Sequence, residues 1–228
     1  MVIENRHPDY QIRGLTPKKE AGSIRLHWRY KEAADFLLFL YDSRQTFDLE
    51  AACEEITASG LLDADLLDQT RKLLPIGKDA FWKLAHIKKA EFVRDGKCFI
   101  LPAQELNKDV PYGICVFACT FDTEHKELHI YPSDIQENTC YLPIKIKAEI
   151  RYKTRFFSKE KYCMLRLPRI EDYEDGALLY HIDGVVSDFP LPQSCMGREL
   201  TIVIPRHAQV SIRIREEDKK FYSVSKRV

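Results

Sequence analysis

The stretch SIRLHWRY, residues 23–30, sets Ile24, Leu26, Trp28 and Tyr30 against Arg25, His27 and Arg29. A period of two turns alternate side chains to opposite faces, so this segment predicts a strand with one dry and one wet face. The alternation returns in LPIKIKAEIRYK from Leu142 and in SIRIREED from Ser211. Strands of this kind predict a mainly β chain, built from antiparallel sheets with one face packed and the other solvated. They set the architecture and leave the activity open.

At 228 residues the chain has room for one large or two small domains. Lys and Arg number 35, as do Asp and Glu, so no global field draws the chain toward nucleic acid or an anionic surface. The N-terminal residues MVIENRHPDYQIRG lack a basic segment followed by an apolar one, and no secretory signal is expected. No apolar run approaches the roughly 20 residues that a spanning helix needs. The longest, FLLFLY at 36–41, reads as a buried strand. Seven cysteines without a repeating spacing suit reduced thiols, and a cytoplasmic location is the expectation.

Helical patterning is confined to the interval after residue 44. Asp48 is placed to cap LEAACEEI, Asp63 and Asp65 precede LLDQTRKLL, and Gly60, Pro75 and Gly77 are the stops. Asp95-Gly96 reads as a two-residue hairpin turn between strands at 91–94 and 97–101. PSDIQENT, residues 132–139, has the composition of a linker. Beyond it the pattern is all strand, with turns at Asp175-Gly176, Asp183-Gly184, the Pro190/Pro192 pair and Gly197.

Two features give the first half a resemblance. Trp28 sits on an early strand, and a later strand opens on Tyr112 and runs YGICVFA, after the leucine-bearing stretch FILPAQELNKDVPY. In this the first half resembles a fibronectin type III domain, an immunoglobulin-like β-sandwich. The resemblance implies that Trp28 packs between two sheets and that Tyr112 forms the tyrosine corner. The expected organisation is two tandem immunoglobulin- or fibronectin III-like sandwiches. Residues 1–136 form the first, with a helical insertion at about 45–89. Residues 140–228 form the second, which lacks the Trp and Tyr signature.

Chemistry is sparse. His125 and His129 in HKELH are out of order for a zinc-protease helix, and on a strand they stand about 13 Å apart at roughly 3.3 Å per residue. No C-x-x-C pair or phosphate-cradling glycine loop occurs. No catalytic residue, metal site or cofactor is expected. Glu171, Asp172, Glu174 and Asp175 cluster in IEDYEDG; a glycosidase could use two of them, although adjacent acids in a loop form a solvated turn more often. The candidate anion-binding residues are Lys145, Lys147, Arg151 and Lys153, which share one face of a strand within the basic run 145–161, with Phe156 and Phe157 at its end.

The expected function is a non-catalytic interaction or scaffolding module that binds a protein partner. One alternative is a carbohydrate-active enzyme or its accessory binding module, and a second is single-stranded nucleic-acid or anion binding through the basic run. Nucleic acid is the less favoured ligand, because the chain has no net positive charge.

Overall fold

The computed structural model describes residues 1–32, 34–60, 72–76, 82–154 and 156–226. The chain is mainly β and divides into two compact units. The first comprises Met1–Asn107 and Tyr112–Leu142, the second Lys108–Pro111 and Pro143–Val228.

In the first unit, β1 (Val2–Ile3), β2 (Arg13–Glu20), β3 (Ser23–Arg29), β4 (Asp35–Asp42) and β5 (Leu74–Ile76) are followed by β6 (Trp82–Ile87), β7 (Cys98–Pro102), β8 (Tyr112–Asp122), β9 (Glu127–Tyr131) and β10 (Thr139–Leu142). One sheet has the order β2-β3-β7; the other runs β1-β9-β8-β4-β6-β5, with β10 also on β8. Their facing surfaces share a core in which Ile24, Leu26 and Trp28 of β3 cluster with Phe36, Leu38 and Leu40 of β4 and Ile114, Val116 and Ala118 of β8. Trp28 is 3% exposed, stacks on Phe92 at 4.2 Å and meets Phe36 edge-on at 5.3 Å. The alternation of residues 23–30 thus places its dry face where it predicts.

FLLFLY is buried on both faces. Its odd members Leu37, Phe39 and Tyr41 cluster with Ala52, Cys53 and Ile56 of α1 (Leu49–Ala58). Asp48 caps that helix, accepting from the N–H groups of Glu50 and Ala51, and Gly60 follows it at φ +70°.

Three expectations need correction. The segment 45–89 is not wholly an insertion, because β6 pairs with β4 from Phe36 to Leu40 and belongs to the sheet. Its second expected helix lies largely outside the described residues. Asp95-Gly96 makes no hairpin, since Lys89–Arg94 is a helix, α2. Gly96 at φ +76° closes it: the Lys97 N–H reaches Phe92 O and the Gly96 N–H reaches Val93 O, the paired bonds of a Schellman cap. Burial of Phe92 against Trp28 requires that turn of helix, and the local turn chemistry serves either outcome. Nor is 132–139 a linker. Asp134 caps α3 (Ile135–Asn138), Asn138 is buried with its amide on Val116 O, and β10 pairs with β8.

In the second unit, β11 (Ile144–Thr154), β12 (Glu160–Arg166), β13 (Leu178–Ile182), β14 (Phe189–Pro190), β15 (Glu199–Pro205), β16 (Val210–Ile214) and β17 (Tyr222–Lys226) form two sheets, β15-β12-β11-β17 and β14-β13-β16. Ile146, Ala148, Leu165, Leu178 and Tyr222 share the core between them. The Tyr173 hydroxyl sits inside, donating to Leu191 O at 2.7 Å and accepting the Leu178 N–H at 3.0 Å. No helix among the described residues is long and apolar enough to cross a membrane.

Candidate functional site

Strand β11 alternates as its sequence demands. Ile146 and Ala148 are buried, while Lys145, Lys147, Arg151 and Lys153 are exposed. The four share a side of the strand but not a common neighbourhood. Lys145 and Lys147 lie opposite Ser223 and Ser225 of β17, whereas Arg151 and Lys153 lie opposite Met164 and Tyr162 of β12. Arg151 donates to Glu149 at 2.5 Å, so one of the four cations is already paired.

The feature that departs furthest from ordinary protein surface is the tip of the β11–β12 hairpin. Phe156 and Phe157 are 93% and 96% exposed, with ring centroids 5.7 Å apart. Phe157 has φ +64°, a conformation that a bulky L-residue adopts only under constraint. The base of the hairpin is well fixed. Lys161 lies over the Tyr152 ring at 4.4 Å, and the Tyr152 hydroxyl accepts the Val210 N–H at 2.8 Å.

Two further loops meet this end of the unit. The Arg206 N–H bonds Lys159 O at 2.9 Å, and the Asp183 N–H bonds Gln209 O at 2.9 Å. The loop after β13 therefore lies at the same end, and its Val186 is fully exposed. Lys153, Lys159 and Arg206 are exposed here, with Glu160 and Asp183 as the opposing acids. The arrangement is an exposed aromatic pair with more exposed cations than acids at the same end of the unit. The sequence marks the basic run and its two phenylalanines. Arg206 is brought to that run by topology alone, and Val186 stands in a loop at the same end, in an apolar pair flanked by Asp183-Gly184 and Ser187-Asp188.

The other candidate residues scatter. In the acidic run, the Asp175 carboxylate accepts the Gln193 N–H at 2.5 Å and Glu174 lies 3.3 Å from Arg215, so these acids brace loops. His125 binds Asp122 at 2.7 Å and His129 binds Glu4 at 2.6 Å. The hydrogen bond from His125 and the backbone N–H groups of Glu124 and His125 hold the Asp122 carboxyl down at about 2. No group of three or more His, Cys, Asp or Glu among the described residues is placed to hold a metal.

Six of the seven thiols are buried, and burial pushes Cys53, Cys115 and Cys163 up to about 11 and Cys140 to about 12. The nearest approach to a nucleophile is Cys119, which lies opposite Asp35 of β4, while His86 on β6 reaches that same Asp35 at 3.3 Å. The strand order β8-β4-β6 sets the carboxylate strand between thiol and imidazole. Burial, and then the Asp35 charge, raise the Cys119 thiol well above its ordinary range. A cysteine nucleophile needs the opposite: a base beside it and a depressed pKa.

No protein-family model matches the chain, and a comparison with curated proteins finds no match.

Proposed function

We propose that the protein is a non-catalytic interaction module that docks a protein partner on the loop end of its second unit. The observation that carries this reading is the exposed Phe156–Phe157 pair. Full burial of a phenylalanine is worth roughly 1.5–3 kcal/mol, and both rings leave it unrealised in the free protein. Phe157 adds backbone strain to that cost, where Gly or Asn would relieve it. A tip so disfavoured for folding is suited to a pocket on another molecule, with aromatic anchors at the centre and cations at the rim.

The first unit reads as a fibronectin III-like scaffold in the same proposal. Its support is the β2-β3-β7 sheet facing the β9-β8-β4-β6 strands, Trp28 between them, and the Tyr112 hydroxyl turned back onto the preceding loop. That fold hosts many functions, so the fold supports the scaffold role by analogy and the tip supports the docking role by its own chemistry.

The test is photo-crosslinking from benzoylphenylalanine at position 157, with exposed position 201 as control, in extract from the source cells. The reading expects a discrete protein adduct at 157 that excess unlabelled protein competes away and excess F156S/F157S protein does not. Adducts equal at both positions, or indifferent to competitor, overturn it.

A further inference from the structure

A second site follows from a break in the ladder between β2 and β3. Thr16 pairs with His27, Pro17 with Leu26 and Lys18 with Arg25, but beyond Thr16 the register shifts, and Arg13 pairs with Arg29. An unbroken ladder would set Gly14 opposite Arg29 and Arg13 opposite Tyr30. The bulge arises from two demands. Ile12 and Leu15 are both buried, at 0% and 5%, yet three residues apart they cannot point to one face of a regular strand. Gly14, at φ +62°, takes up the extra residue in the left-handed region that glycine occupies without strain.

The consequence is electrostatic. Two arginines stand directly opposite one another on the wet face of the sheet, an arrangement that disfavours the folded state. Neither guanidinium has an ion-pair partner among the described residues. Of the nearby acids, Asp9 is bound by Lys31, the Glu137 carboxylate accepts the Gly14 N–H at 2.8 Å, and the Glu32 charge acts on Lys31. Arg13 and Arg29 line an open cleft of about 340 Å³ with Lys31, Tyr30, Gln11 and Pro8. Gln11 is a fixed wall, since its amide donates to His7 O and Pro132 O.

We propose that this cleft binds a doubly charged oxyanion of the phosphate monoester type, held between the guanidinium groups of Arg13 and Arg29. Guanidinium is the side chain best matched to phosphate, because its parallel N–H groups meet two oxygens at once. A dianion between the two arginines converts their repulsion into two attractions, while Lys31 at the rim stays bonded to Asp9. The volume admits a phosphate with a short organic stem. The site is independent of the docking tip on the second unit.

The experiment is thermal unfolding and isothermal titration at constant ionic strength, with inorganic phosphate against chloride. A short peptide with and without phosphoserine separates a free phosphate compound from a phosphorylated segment as the source. Phosphate should raise the melting temperature and chloride should not. R13Q should weaken phosphate at least tenfold and R13Q/R29Q should abolish the response, while both variants melt at or above the temperature of the ligand-free parent because the like-charge pair is gone. Tighter binding of the phosphopeptide than of phosphate assigns a protein segment; the reverse assigns a small molecule. Equal shifts with phosphate and chloride, a full phosphate response in R13Q/R29Q, or arginine variants that melt lower than the parent would each overturn the proposal.

Discussion

The hydroxyl of Tyr112, the first residue of β8, accepts the backbone N–H of Asn107 at 3.0 Å. It ties the loop entering the central strand to the start of that strand. Tyr112→Phe removes the acceptor and little else. The first unit should lose about 1–1.5 kcal/mol, the net worth of such a bond. Urea denaturation followed by Trp fluorescence measures it, and an unchanged midpoint would show that the bond is incidental.

Trp28 and Trp82 are the two tryptophans of the chain. With Trp82 replaced by Phe, Trp28 alone should emit to the blue and resist iodide. Trp28→Ala should cost about 3–5 kcal/mol as a large core truncation. Trp28→Phe should cost less than about 1.5 kcal/mol, because the Trp28 Nε1 is buried without a hydrogen-bond partner among the described residues and its removal ends an unmet demand. Strong iodide quenching of Trp28 would contradict its place between the sheets.

The Asp35 carboxylate accepts from the Lys89 N–H at 2.8 Å and lies 3.3 Å from His86 Nε2. Burial pushes its pKa up, but these contacts more than offset that, and the net direction is down. A depressed carboxylate contributes stability that is present above the ordinary value of 3.8 and is lost as pH falls through the lower folded value. Asp35→Asn should therefore flatten the acid limb of the first unit's stability below about pH 4. Denaturation midpoints from pH 2 to 6 check this, and a parallel acid limb in the variant would refute it.

Cys195 is the only one of the seven cysteines that is not buried. An aromatic disulfide reagent should titrate one thiol quickly in the native protein and all seven in denaturant. Several fast thiols would mean that the buried cysteines open far more readily than their packing implies.

Phe157→Gly should raise the stability of the second unit by about 1 kcal/mol, since glycine holds a positive φ without the strain of a side chain. The same substitution should weaken partner capture. A fall in stability would show that the ring supports the hairpin and is not held for use elsewhere.

How much of this was legible beforehand depends on what each signal is local to. The alternation of Ile24, Leu26 and Trp28 is a property of seven adjacent residues, and it located a strand and its buried face. Asp95-Gly96 offers a left-handed glycine to a hairpin or a helix cap alike, and Phe92 reaching Trp28 across the core decides between them. FLLFLY announces burial without saying that Ala52, Cys53 and Ile56 cover its second face. At the candidate site, Lys145, Lys147, Arg151 and Lys153 emerged exposed as their odd numbering required. The approach of Arg206 to the β11–β12 turn exists only once β12 and β15 are paired. The opposed arginines are likewise invisible to strand alternation, because a single bulged glycine changes which residue faces which.

The parallel pairing of β17 with β11 bears on how the chain is made. The Ser223 hydroxyl meets Ile144 O across 79 residues of sequence, and that whole span must be synthesised before this edge of β11 finds its neighbour. At roughly 5–20 residues per second the wait is about 4–16 s on the ribosome. During it Ile144 and Ile146 stand on a strand with an open edge, a template for stray pairing with other nascent chains. Lys145 and Lys147, interleaved with them, repel a second copy of the same edge throughout that interval. Two cations exposed in the finished fold thus stand where the incomplete chain is most open to stray pairing.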